Sequence, residues 1–138
     1  MTLPREFVDT NVLVYAFSDD PRSGRAEALL ARGCATGMQA LNEFANVGRR
    51  KLAMDWREVR EALDVIKIFL TPIAPLAIET HLAGIELAER YRLSVHDAMM
   101  VAAALRLDCT TFWSDDLQDG LEIDGRLTIR NPFLAGTV

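Results

Sequence analysis

Cysteine is scarce in this chain. Cys34 and Cys109 are the only two, far apart and without ligand-type cysteine neighbours, which argues against both a zinc site and a secreted disulfide framework. Both read as small core fillers. No apolar run approaches the ~18 residues that a membrane span needs, and the opening MTLPRE lacks a basic region followed by an apolar stretch. The expectation is a soluble, cytoplasmic protein without membrane attachment. A basic surplus is missing too: Lys+Arg number 15 against 20 Asp+Glu, a net charge of −5. That balance argues against a protein that grips long nucleic acid by bulk attraction. It leaves room for a nuclease whose acids converge on a metal, because the ion offsets their charge and supplies the local positive potential a phosphate needs.

What is present is apolar material in regular alternation. At 138 residues and 50% hydrophobic content the chain can bury a sizeable core, and a single domain spanning 1–138 is the default. Short apolar strand candidates at 7–8, 36–38, 72–76, 110–113 and 127–129 alternate with helical patterns at 23–32, 39–52, 55–70, 77–92 and 95–107. A further short helix is expected through Val12, Leu13, Tyr15 and Ala16. This alternation predicts an α/β fold with a mainly parallel sheet.

Against that background a few acids stand out. In FVDTNVLVYAF, residues 7–17, Asp9 is alone in an apolar run. An ionised carboxylate there needs a cation, a helix N-terminus or backbone donors to replace lost water; capping the following helix would by itself account for it. In SVHDAMMVAAALRL, residues 94–107, the sequence turns almost wholly apolar after its first turn, which predicts a helix buried on most sides. With Ser94 as N-cap, Asp97 takes the third helical position, where an acid can complete a capping box and meet the positive end of the helix dipole. His96 reads as an orienting or surface histidine rather than a ligand, and His81 as a residue without a role. Glu43 lies at the margin of the apolar stripe of 40–52, and Ser114, Asp115 and Asp116 follow a strand, where turn chemistry alone explains such residues.

These acids share a position in the expected topology. Asp9 and Asp116 follow strands, Asp97 opens a helix, and Glu43 sits in the helix after the second strand. In an open α/β sheet, strand carboxyl ends and the starts of the following helices face one crevice. Two bare carboxylates about 4 Å apart repel by roughly 4 kcal/mol at an effective dielectric near 20, so a cluster of them requires a cation or a shared proton. Hard oxygen ligands without convergent His or Cys point to magnesium or manganese rather than zinc.

Five segments in order, FVDTNVLVYAF, MQALNEFANVGRRKL, YRLSVHDAMMVAAAL, FWSDDLQDG and IRNPF, resemble the motifs of PIN-domain ribonucleases, specifically the VapC toxins of toxin–antitoxin pairs. The resemblance covers nearly the whole chain. It implies a PIN-like three-layer α/β/α domain and Mg2+-dependent cleavage of RNA, with Mn2+ as a substitute ion. By motif position it maps the acidic site onto Asp9, Glu43, Asp97 and Asp116, with Asp9, Asp97 and Asp116 as metal ligands and Asn11 and Ser114 in support. Asp115 stands where the family often has Glu, which suggests a supporting role. Arg49, Arg50 and Lys51 are candidates for holding an RNA backbone, although a basic helix end also opposes the helix dipole.

Two other readings remain open at this level. Asp9 could be the nucleophile of a haloacid-dehalogenase-type phosphatase, but that chemistry normally wants a second Asp where this chain has Asn11. Alternatively the domain binds a partner without catalysis, its acids being structural. The helix expected over 55–70 bears on partners. Trp56, Val59, Leu63, Ile66 and Leu70 form one stripe, while Ala62, Val65, Ile68 and Phe69 carry the apolar surface further round than a single core contact needs. The resemblance implies that the excess meets a cognate VapB-type antitoxin, and it implies a homodimer.

Overall fold

Phe7 and Val8 lie fully buried in β1 (Arg5–Val8), the strand on which the site is built. The computed structural model describes residues 5–134. From β1 the chain runs through α1 (Thr10–Ala16), α2 (Ser23–Ala31), β2 (Thr36–Gly37), α3 (Met38–Arg50), α4 (Trp56–Phe69), β3 (Ile73–Ala74), α5 (Ile78–Tyr91), α6 (Val95–Arg106), β4 (Cys109–Trp113), β5 (Glu122–Ile123) and β6 (Leu127–Arg130). The sheet order is β1-β4-β6-β5, parallel except for the β5–β6 pair. The parallel pair β2–β3 adjoins β1 through a parallel bridge between Phe7 and Ala35. The result is a three-layer α/β/α arrangement around a mainly parallel sheet, as expected.

The alternation in the sequence located these elements well. The differences are local: the strands at 36–38 and 72–76 shorten to two residues each, and Met38 opens α3 instead of closing β2. Strand β5 was not foreseen. Its two residues pair across the tight turn to β6, with Asp124 and Gly125 both at positive φ, too short a run for alternation to register.

Packing follows from residue type. Phe7 and Phe112, register partners on neighbouring strands, stack with ring centroids 5.3 Å apart. Helix α6 lies against β2, β4 and α5, and Ala98 together with Met100 through Leu105 is buried, which explains its apolar sequence. The approach of α5 is close enough that a Cβ at Gly84 would meet the Met99 sulfur at 2.6 Å, so a larger residue there would force the Met99 side chain to move. Both cysteines are buried, and burial pushes their thiols up to about 12, as inert core fillers should be. Among the described residues no helix is long and apolar enough to cross a membrane.

The stripe expected on 55–70 is corrected in part. Val59, Ala62, Ile66 and Leu70 are buried and Leu63 packs against the core, but Trp56 stays on the surface, its ring beneath the Arg49 guanidinium at 4.6 Å. At the start of the helix a cation–π contact replaces the core contact. Val65, Ile68 and Phe69 are exposed, so the apolar excess does face outward.

Candidate active site

Asp9 sits where β1 ends and α1 begins, its amide hydrogen-bonded to the Trp113 carbonyl of β4. As the N-cap of α1 it accepts the Thr10 amide on Oδ1 at 2.7 Å. The other oxygen accepts the Ser114 hydroxyl at 2.8 Å and the Asn11 amide at 3.3 Å. The residue is 3% exposed. Burial is the largest influence on its carboxyl, offset by the Ser114 and Thr10 hydrogen bonds and reinforced by the charges of Asp97 and Asp116. Together they push it up to about 6. The capping role is therefore real, yet it does not relieve the charge.

Ser114, fully buried at the end of β4, donates to Asp9 and accepts from the Asn11 amide at 3.2 Å and the Asp116 backbone at 3.0 Å. One donor and two acceptor positions are all a hydroxyl has, so its orientation is determined. Asn11 Nδ2 also reaches Asp116 Oδ2 at 3.0 Å, tying α1 to the loop after β4. Both Asn11 and Ser114 thus hydrogen-bond to carboxylates.

Asp97 enters from the first turn of α6. Its backbone amide donates to Ser94 Oγ at 3.1 Å, which is one half of a capping box. The second half is missing: among the described residues no bond runs from the Ser94 amide to the Asp97 carboxylate. Asp is one methylene shorter than the Glu or Gln that closes such a box. In α4, by contrast, Asp55 and Glu58 make both bonds.

Asp9, Glu43, Asp97 and Asp116 line one open pocket of about 460 Å³, together with Asn11, Lys51 and His96. All four acids predicted for the site are therefore brought together. Asp115 is turned elsewhere: it accepts the Tyr15 hydroxyl at 2.9 Å and lies 3.5 Å from Arg22. Burial raises its pKa above the ordinary carboxylate value, against the lowering effect of the Tyr15 bond. Of the basic trio, Lys51 lines the pocket and Arg50 leans to within 3.8 Å of Glu43. Arg49 is not brought there, being held by the Met54 carbonyl and Trp56. Tyr15 lines the pocket and was missed by the sequence reading. Its spacing of four from Asn11 puts both on one face of α1, a signal that was available.

The donor set suits a hard divalent cation: carboxylate oxygens, whose charge is opposed among the described residues by Lys51 at the pocket wall and by Arg50 beside Glu43. Among the described residues no three carboxylate, imidazole or thiol groups lie close enough to enclose an ion together. Magnesium fits such an open arrangement, since it commonly keeps several waters and takes one or two carboxylates beside substrate phosphates.

Residues 7–121 match the family model described as PIN domain. No curated protein sequence matches significantly. Among solved structures, a toxin–antitoxin complex from Klebsiella pneumoniae is similar with a TM-score of 0.72 at 17% identity, over 93% of this chain and 98% of that chain. VapBC2 from Rickettsia felis, bound to a DNA fragment from its promoter, gives 0.66 at 19% identity over 91% and 97%. VapC20 of Mycobacterium tuberculosis, a Sarcin-Ricin loop cleaving toxin, gives 0.63 at 20% identity over 78% and 86%. At these identities the likeness concerns the fold.

Proposed function

The chain belongs to the PIN-domain family, and from that premise we propose that it is a metal-dependent ribonuclease, the toxin of a toxin–antitoxin pair. One observation carries the reading: acids from four separate parts of the chain meet in a single pocket, two of them held by the Asn11 amide. A fold does not need such an arrangement, because unopposed carboxylates repel.

Asp9, Asp97 and Asp116 would hold the ion, one or two of them directly and the rest through its waters. Magnesium, or manganese in its place, supplies water activation and neutralisation of phosphate charge when bound. The protein's part is positional. Ser114 and Asn11 fix the oxygens of Asp9 and Asp116, Glu43 offers a further carboxylate to a water or the ion, and Lys51 meets the phosphate. A covalent aspartyl route is disfavoured, since Asn11 stands where that chemistry normally wants a second Asp. The non-catalytic reading leaves the convergence unexplained.

A partner reading accompanies this. Ala16, Phe17, Leu30, Ala31, Val65 and Phe69 line an apolar groove of about 250 Å³, and a VapB-type antitoxin segment would lie there. An apolar row of Ile78, Leu82 and Ile85 on α5 is exposed and is the face for a homodimer. The test is incubation of the purified protein with total bacterial RNA. Cleavage is expected with Mg2+ or Mn2+, absent in EDTA, and lost in folded Asp9→Asn and Asp97→Asn. Full activity of both variants overturns the site, and no cleavage by the folded wild type overturns the function.

A further inference from the structure

The pocket is rich in acceptors, whereas RNA arrives as a polyanion and needs donors. Four of the lining residues are carboxylates. The Asn11 amide is shared among Asp9, Ser114 and Asp116, and the Tyr15 hydroxyl is donated to Asp115. The Thr10 hydroxyl is buried. That leaves Lys51 and His96 as the exposed lining side chains with a donor to give.

His96 is the second residue of α6 and directly precedes Asp97. Its ring is tied to Gln39 in the first turn of α3: the Gln39 amide nitrogen lies 2.8 Å from Nδ1 and 3.0 Å from the His96 carbonyl oxygen. A backbone carbonyl can only accept, so the atom facing it has to be the amide nitrogen and not its oxygen. The second proton of that same amide then points at Nδ1, which has to be bare to accept it. In a neutral imidazole the proton consequently resides on Nε2. Among the described residues Nε2 has no hydrogen-bond partner. His96 lines the pocket and Gln39 does not.

We infer that His96 is an RNA-contacting residue whose Nε2–H donates to a non-bridging phosphate oxygen beside the bond that is cut, and that Gln39 is the positioning residue that keeps the proton on Nε2. This rests on the ribonuclease reading above. The contact exists in the bound ground state, so its removal raises KM with little change in kcat.

The test uses an RNA oligonucleotide spanning a cleavage site mapped with the wild-type protein, in Mg2+. His96→Ala is expected to raise KM about 10- to 100-fold, the usual effect of losing a hydrogen bond to a charged group, with kcat within about twofold. His96→Gln, whose amide nitrogen reaches the place of Nε2, restores most of the loss. Gln39→Met leaves the ring unoriented and raises KM about two- to fivefold, and His96→Ala/Gln39→Met is no worse than His96→Ala alone. The inference is overturned if His96→Ala cuts as the wild type does, if His96→Gln is no better than His96→Ala, or if the two losses multiply. A folded wild-type protein that cuts no RNA overturns the ribonuclease reading instead, and the inference with it.

Discussion

Asp9 is buried behind Ser114 and Asn11 while Asp97 and Asp116 add negative charge nearby, and burial lifts its carboxyl from an ordinary 3.8 to about 6. The sign of the consequence follows from proton counting. Between pH 4 and 6 the folded protein holds a proton that the unfolded chain has released, so rising pH costs stability across that window. Above it the cost in the metal-free protein is on the order of 3 kcal/mol. Asp9→Asn removes the charge but keeps only one strong acceptor for Ser114 and Thr10, which returns part of the gain. Denaturant unfolding in EDTA at pH 7.5 should show the variant more stable by about 1–2 kcal/mol, and its stability should change less than wild type's between pH 4 and 6. A variant less stable at pH 7.5 would mean that the cap bonds outweigh the desolvated charge. The neighbouring pair Asp115 and Asp116 separates by partner: Asp116 lines the pocket and meets Asn11, whereas Asp115 does not line it and meets Tyr15 and Arg22. Side-by-side RNA cleavage assays should give a loss of about 100-fold or more in kcat/KM for Asp116→Asn and at most about 10-fold for Asp115→Asn.

At the scale of elements, the starts of α1 and α6 carry the site: Asp9 is itself the cap of α1, and the cap of α6 leaves the Asp97 carboxylate unspent. In α6 the shortness of Asp97 prevents closure of the capping box, so Ser94 satisfies one amide and the acid remains free for the pocket. Helix α4 has a complete box and no site residue. Its contribution is the outward apolar surface of Val65, Ile68 and Phe69, where a solvent-facing isoleucine is 75% exposed. Charging that surface leaves the core intact. Phe69→Glu is expected to change stability by less than about 0.5 kcal/mol and to leave RNA cleavage unchanged. Co-purification with the product of the neighbouring upstream reading frame should fall sharply. Retained co-purification would remove α4 from the partner surface.

For the whole molecule, the sheet gathers charge at one end and the remaining terms must tolerate it. A divalent ion that binds only the folded protein stabilises it by mass action, about 2.7 kcal/mol at one hundred times its Kd. For a chain of this length that is a rise in Tm of several degrees. Thermal scans with added Mg2+ should show this rise in the wild type and little of it in Asp97→Asn; equal rises in both would place the ion elsewhere.

The order of elements was legible from periodicity, because a mainly parallel sheet with helical crossovers imposes alternation that each segment records locally. The acids Asp9, Glu43, Asp97 and Asp116 were legible as candidates since each breaks an apolar context or opens an element. The two-residue β5 left no trace in the pattern, and exposed Trp56 followed the apolar stripe yet found a cation instead of the core. Only the tertiary structure decided which partners Asp115 and Asp116 meet, and that His96 is tied to Gln39. Those outcomes depend on Asn11, Tyr15, Arg22 and Gln39, residues up to 105 positions away in the chain. Hydrogen-bond direction is set by whichever partner the fold brings within about 3 Å, and local sequence carries no record of that partner.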